Sequence, residues 1–405
     1  MTSSASKPPP RQPKPWILFL AFELLDEIAQ YISDTPSDLT SFMLSCRQTA
    51  FVAESVRYTT ITVEGSPGRK LLSTLLSGSP TANRYLLKIS RIWYRGWYDC
   101  EIFLLSSLLC EVLHRTSNLR TLWLNIDPAG CAQLTDCMKR LGLMRIAHHP
   151  ATILRDIHLG ADASSPLNLP NLLYLRITGA FQIANIAAHR YLSELEMHQV
   201  LNHEEFAKFI STAEDGHLGS SLETLSIKLN RTLDTCLTLP ILSHAFPNLR
   251  NLALDKSSLV VKARRYFFCH HEALLTLVQE VLSLLAAETP VFRCVRNLVL
   301  NRRYACRALK RGLSSPCGEY EGLTRSAMDQ QLEEVAARHR RLVRIGIGRN
   351  LFELNKLGTF QHTLLDFSST EWDRIFGVQF SASCISGAPP RHRRRISTHF
   401  GYTNE

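Results

Sequence analysis

The chain has 405 residues, 45% of them hydrophobic and 20% charged, an ordinary globular composition with enough apolar material for a sizeable core. Its net charge of +10, from 46 Lys+Arg against 36 Asp+Glu, is concentrated at the ends. Lys7, Arg11 and Lys14 have no acid among residues 1–15, and Arg391, Arg393, Arg394 and Arg395 face only Glu405, so the mildly basic body argues against a nucleic-acid-binding face spread over the fold. Eleven cysteines without a CxxC pair fit a reduced compartment in which most act as small buried apolar residues.

The prolines ahead of Trp16–Phe22, the acids Glu23 and Asp26 and the lack of a small-residue cleavage site argue against a signal peptide. No apolar run approaches the roughly 18 residues of a membrane span. The expected location is therefore the cytoplasm, the nucleus or both, with no membrane partner. The stretch from Leu20 to Ile32 reads as an amphipathic helix with Leu24, Leu25, Ile28, Tyr31 and Ile32 on its apolar side and Glu23 and Asp26 near its start. A second helix is predicted after a cap at Ser37, with Leu39, Phe42, Met43 and Cys46 at helical spacing, and a third from Gln48 to about Tyr58. The β-branched run Thr59–Val63 then predicts a strand. Three short helices make a small core, so this unit needs a partner or the rest of the chain.

These residues carry a resemblance. Leu20-Ala21-Phe22-Glu23-Leu24-Leu25-Asp26-Glu27-Ile28, then Asp38-Leu39, then Leu44-Ser45-Cys46-Arg47, resembles the F-box motif L-P-x-E-L-L-x-x-I, D-L, V/L-C-R, with order and spacing kept over residues 20–58. The departure is Ala21, where the family has a proline that pre-sets the helix start and packs on the partner. The resemblance implies docking on the small adaptor subunit of a cullin–RING ubiquitin ligase. By position, Leu20, Ala21, Leu24, Leu25 and Ile28 would face the adaptor, with Leu39, Leu44, Cys46 and Arg47 supporting or joining that surface. The competing reading is that the same apolar residues only hold the helices together or pack on residues 59 onward.

Beyond Val63 an aliphatic-x-x-aliphatic-x-aliphatic pattern recurs: Ile89/Ile92/Tyr94, Leu119/Leu122/Leu124, Leu154/Ile157/Leu159, Leu172/Leu175/Ile177, Leu192/Leu195/Met197, Leu222/Leu225/Ile227, Leu249/Leu252/Leu254, Val295/Leu298/Leu300 and Leu342/Ile345/Ile347. Amphipathic spacers at 100–114, 203–213, 271–285 and 326–339 read as return helices, the last with Ser326 and Asp329 spaced as a capping box. The spacing is ragged, from Leu154–Leu172 at its shortest to Val295–Leu342 at its longest, against about 20 to 29 residues in regular leucine-rich repeats. The asparagine expected past the third aliphatic position occurs only as Asn230 and Asn350.

The chain thus resembles fungal-type F-box proteins with degenerate leucine-rich repeats. The fold expected is α/β, a short N-terminal three-helix F-box followed by an irregular leucine-rich-repeat solenoid with a parallel sheet. Its parts are a disordered basic leader (1–15), an F-box-like helical domain (16–63), the repeats (64–358) and a C-terminal extension with a basic tail (359–405). The x positions of the repeats would line the concave face, where Arg120, Trp123, Arg155, Tyr174 and Arg176 are the candidate anchors for a target protein.

A search for catalytic motifs finds none. Gly65-Ser66-Pro67-Gly68-Arg69-Lys70 lacks phosphate-loop spacing, Gly346-Ile347-Gly348 lacks the third glycine of a dinucleotide site, and no G-x-S-x-G or H-E-x-x-H occurs. Cys131, Cys137, His148 and His149 have the spacing of no common zinc site, so the cysteines read as buried apolar residues. No enzyme activity, metal or cofactor is expected. Trp93, Tyr94, Trp97 and Tyr98 read as repeat core or its cover rather than a nucleic-acid stacking set. The run at 391–395 reads as an import signal, a contact to an acidic partner or a solvated tail. The expected function is the non-catalytic substrate receptor of a cullin–RING ligase. The rival is a repeat scaffold or nuclear binding protein whose F-box-like helices merely cap the array.

Overall fold

A computed structural model describes residues 16–33, 35–96, 102–126, 128–144, 169–179, 185–187, 190–214, 217–257, 278–287, 291–300, 325–347 and 350–364. The expected anchor Arg155, the triple at Leu154, Trp97, Tyr98, His148, His149 and the basic tail at 391–395 lie outside the described residues, and so do the side chains of Ser326 and Asp329.

Three helices come first: α1 (Phe22–Tyr31), α2 (Pro36–Ser45) and α3 (Arg47–Thr59). Each start has its own chemistry. At α1, Ala21 offers no side-chain cap, and Glu23 lies in the first turn. At α2 the first residue is Pro36, whose missing N–H would have had no helical partner, and Thr35 rather than Ser37 stands at the N-cap. At α3 the Cys46 sulfur accepts from the Thr49 backbone N–H while the Thr49 hydroxyl accepts from the Cys46 backbone, a reciprocal capping box. Leu25, Ala29, Leu39, Val52 and Ala53 form the closed core of this unit.

The rest is built on one sheet of eleven strands in sequence order: β1 (Thr60–Glu64), β2 (Arg91–Gly96), β3 (Thr121–Ile126), β4 (Tyr174–Thr178), β5 (Glu194–Leu201), β6 (Thr224–Asn230), β7 (Asn251–Ser257), β8 (Asn297–Leu300), β9 (Arg344–Ile347), β10 (Asn350–Leu354) and β11 (Phe360–Leu364). Strands β1 to β9 run parallel, and β10 and β11 turn back antiparallel. Strand β11 lies past the repeat boundary expected at 358 yet belongs to the same sheet. Parallel neighbours need crossovers, and helices supply several of them: α4 (Gly65–Leu75) and α5 (Pro80–Lys88) after β1, α6 (Ile102–Arg115) after β2, α7 (Pro128–Arg140) after β3, α8 (His203–Glu214) after β5, α9 (Thr235–Ala245) after β6 and α10 (Arg325–Arg338) before β9.

Alternation along each strand decides the two faces. Ile92, Leu122, Leu175, Leu195, Leu225, Leu252, Leu298 and Ile345 are register partners from strand to strand. All are buried against helix residues such as Leu72, Leu105, Leu109, Leu134, Phe209 and Leu242. The x positions between them (Thr62, Trp93, Trp123, Arg176, Glu196, Ser226, Ala253, Val299, Gly346) form the opposite face, also in register.

Two polar devices repeat along the sheet. The carbonyls of Ser90, Arg120, Leu173, Ser193, Glu223, Arg250 and Arg296 each accept two N–H groups from the start of the next strand, as when Arg120 receives Leu173 and Tyr174 at 2.9 Å each. Asn118, Asn171 and Asn248, each just before the first aliphatic residue of a triple, donate through Nδ2 to the carbonyls of Leu87, Ser117 and Ser220 at 2.7, 3.0 and 2.8 Å. These asparagines satisfy backbone oxygens of the preceding connection, a need that recurs wherever strands stack.

Helix α3 runs into β1 without a linker, and α5 braces the joint. Tyr58 stacks on Tyr85 at 3.8 Å, Arg84 pairs with Glu54 at 3.1 Å, and the Tyr85 hydroxyl donates to the same carboxylate. Glu54 pushes the Tyr85 phenol above its ordinary value. Burial lowers Lys88, whose ammonium lies 5.0 Å from the Phe51 ring centre.

Candidate functional site

Two surfaces collect the residues singled out in the sequence. The first lies on α1–α3. Leu24 and Leu44 are exposed, the latter by 83%, alongside exposed Ala21 and Arg47. Leu20, Ile28 and Cys46 are half-buried, and Leu20 packs on the three-helix core. The Thr49 hydroxyl and backbone hold the Cys46 thiol below its ordinary value.

Leu25, expected to face the adaptor, is instead fully buried, because the small core needs large aliphatic side chains, and Leu39 is buried beside it, a place that allows support of the surface and not contact with a partner. Tyr31, read on the apolar side of α1, is 88% exposed, and beside it stand aromatics that the spacing argument missed: Phe19, 73% exposed, and Phe22 with Phe51, half-exposed and meeting edge-to-face at 5.8 Å. The legible signal was an aromatic at otherwise polar positions of helices whose aliphatic stripe was already complete. Leu24 and Phe22 on α1, Leu44 on α2 and Phe51 on α3 leave an apolar surface drawn from all three helices.

The second surface is the open face of the sheet at β2–β5. Trp93 and Trp123, register partners, meet edge-to-face at 5.6 Å and 70°. The guanidinium groups of Arg176 and Arg95 lie 4.5 and 5.9 Å from the Trp123 ring centre. Arg95 pairs with Glu64 at 3.4 Å, and Arg176 Nε lies 3.3 Å from Oε2 of buried Glu196. His198 Nε2 lies 2.6 Å from Glu196 Oε1 and 3.1 Å from Arg176 Nε. One ring nitrogen cannot donate to the carboxylate and accept from the guanidinium together. The shorter, charge-assisted contact makes Nε2 the donor to Glu196 and leaves Arg176 to the other carboxylate oxygen. A register shift between Glu196 and Val200 interrupts the β5–β6 ladder at this point.

The arrangement is an aromatic–guanidinium platform with its charges paired. Among the described residues, the buried indole nitrogens of Trp93 and Trp123 have no hydrogen-bond partner. Of the expected anchors, Trp123, Tyr174 and Arg176 are half-buried on β3 and β4 and lie together, while Arg120 is exposed just before β3. Trp93 was read only as core or cover. It is buried, yet its register places it on the platform side.

Among the described residues, no group of three or more His, Cys, Asp or Glu side chains is placed to hold a metal ion, and no helix is long and apolar enough to cross a membrane. No protein-family model matches this chain, and no curated protein matches it.

Proposed function

We propose that this chain is the substrate-recognition subunit of a cullin–RING ubiquitin ligase, with α1–α3 as an F-box docking the small adaptor subunit and the sheet as degenerate leucine-rich repeats presenting a target protein. The observation that carries the reading is the division of apolar residues on the three helices. Leu25, Ala29, Leu39, Val52 and Ala53 complete a core, and Phe22, Leu24, Leu44 and Phe51 are left outside it. An exposed apolar surface drawn from all three helices is best explained by a partner.

The missing proline weighs little. Ala21 has φ −59° and ψ 151°, within the range to which proline would fix φ, so the backbone keeps the shape and loses only the pre-organisation. The repeat reading draws on the seven doubly accepting carbonyls and the three equivalent asparagines, since a stacked array repeats its polar contacts along with its apolar ones. On this reading the protein supplies no reacting group. It holds a target near the charged enzyme, and catalysis is by proximity.

The joint at Tyr58–Tyr85 and Glu54–Arg84 supports a second reading, in which α1–α3 cap the end of the sheet in a scaffold protein. Adaptor binding separates the two. Full-length protein retaining purified adaptor in a pull-down, with Leu24→Asp/Leu44→Asp folded but not retaining it, supports the receptor. Wild type that retains no adaptor leaves the scaffold.

A further inference from the structure

Helix α5 brings a cation to the edge of the apolar surface on α1–α3. Phe51, half-exposed, has two aromatic-ring neighbours of different kinds. The Phe22 ring meets it edge-to-face at 5.8 Å, and the Lys88 ammonium lies 5.0 Å from its ring centre. The second contact is one row of a two-row arrangement. Phe51 and Glu54 are about one turn apart on α3, Lys88 and Arg84 one turn apart on α5, and each meets its counterpart across the joint.

The two rows differ in charge. Arg84 Nη2 donates to Oε2 of Glu54 at 3.1 Å, and the Tyr85 hydroxyl donates to Oε1. Both carboxylate oxygens are in use, so Glu54 acts on Lys88 only through space. Among the described residues the buried Lys88 nitrogen has no hydrogen-bond partner, and neither Glu54 nor the α1 acids Glu23, Asp26 and Glu27 pair with it. Arg47, one turn before Phe51 on α3, is exposed and also without an ion pair among the described residues. The positive charge beside Phe51 is therefore in surplus. A ring face answers part of an ammonium's charge and none of its three N–H donors, and burial pulls Lys88 below its ordinary value. The residue as a whole is only half-buried, and its flexible stem lets the ammonium follow a group that arrives beside Phe51.

We propose that the docking surface continues from α3 onto α5 and that the adaptor sets an Asp or Glu side chain against Lys88 beside the Phe51 ring. The inference rests on α1–α3 being the docking surface. Charge and size choose the group. A neutral carbonyl would fill the hydrogen bonds and leave the surplus charge, and a phosphate dianion would bring more charge than one ammonium balances. A carboxylate brings one negative charge and two acceptor oxygens. Apolar groups that cover Phe22, Leu24, Leu44 and Phe51 would also exclude water and strengthen the ion pair at their edge. Lys88 then sets specificity, because a partner with an apolar or basic group at this point leaves the ammonium buried and unpaired.

The test follows association of purified adaptor with the full-length protein by surface plasmon resonance at low and high salt. It compares wild type, Lys88→Met and Lys88→Arg, each shown by its melting curve to be folded. Methionine keeps an unbranched stem and removes the charge, and arginine keeps the charge. The expected result is a wild-type association rate that falls as salt rises, roughly tenfold weaker binding with a flatter salt response in Lys88→Met, and near wild-type binding in Lys88→Arg. Wild-type association that salt does not alter would overturn the inference, a result that needs no variant to fold. So would Lys88→Met binding as tightly as wild type while Leu24→Asp/Leu44→Asp fails to bind. In that case docking on α1–α3 holds and the Lys88 contact alone falls, whereas a wild type that binds no adaptor removes both.

Discussion

The three N-terminal helices and the sheet body spend their apolar residues differently. In the body every described aliphatic triple is buried, and large apolar side chains left outside, such as Leu237 and Ile241 on α9, lie on the outer side of a helix that also buries Thr238, Leu239 and Leu242. In α1–α3 only five side chains, Leu25, Ala29, Leu39, Val52 and Ala53, make the buried core, while Phe19, Phe22, Leu24, Tyr31, Leu44 and Phe51 remain outside. The body is stable through stacking, each strand covering the last. The helical unit is closed but thin, and its exposed aromatics have a use only if something docks on them.

That contrast can be broken most forcefully in the body. Leu225→Ala removes a fully buried side chain from the middle of the sheet and should cost about 2–5 kcal/mol, read as a fall in urea midpoint. Leu25→Ala in the thin core should instead detach α1–α3 while the sheet melts nearly as before, seen as a new early phase in far-UV circular dichroism. A single cooperative loss in both variants would mean that helices and sheet are one folding unit.

Smaller effects sharpen the comparison. Asn118→Ala leaves the Leu87 carbonyl without its donor and should cost about 1 kcal/mol, with Asn171→Ala and Asn248→Ala alike, because all three perform the same task. Unequal costs would argue against equivalent repeats. Ala21→Pro should stabilise α1 by about 0.4–1 kcal/mol, since the backbone already has the required φ and no helical bond uses the Ala21 N–H.

The joint between the regions has its own signature in pH. The hydrogen bond to Glu54 raises the Tyr85 phenol above its ordinary value of 10.0, so the protonated phenol is favoured in the folded protein. Its contribution is fully present below pH 10 and is lost as pH rises from there through the raised folded value. Wild type should therefore loosen at the α3–α5 contact in that alkaline window, followed by hydrogen exchange of α3. Tyr85→Phe should lack the alkaline step.

Much of the body was legible because two-residue alternation leaves a strand no freedom about which face an aliphatic residue takes. The triples from Ile89/Ile92/Tyr94 to Leu342/Ile345/Ile347 are buried wherever they are described. What escaped had local signals pointing the other way. The run Gly65–Lys70, weighed only as a phosphate loop, opens α4 instead: Pro67 sits in the first turn, and Gly68 lets that turn lie on β1, where a Cβ would come to 3.0 Å from the Val63 carbonyl carbon. The helix α9 was not among the expected return helices, and it carries Pro240 in its interior. The repeat asparagine was sought after the third aliphatic residue, whereas Asn118, Asn171 and Asn248 precede the first. At the candidate sites, a motif specifies which residue types recur and not which side of a three-helix unit each one faces. Leu25 and Leu39 therefore went inward while Phe22 and Phe51 were overlooked.

The most direct test is the binding of purified adaptor subunit to the full-length chain by calorimetry, alongside Leu24→Asp/Leu44→Asp. Both substituted residues are exposed, so the variant should keep its stability within about 0.5 kcal/mol. The account predicts a saturable complex with the wild type and none with the variant. Equal binding by both, or no binding by the wild type, would contradict it.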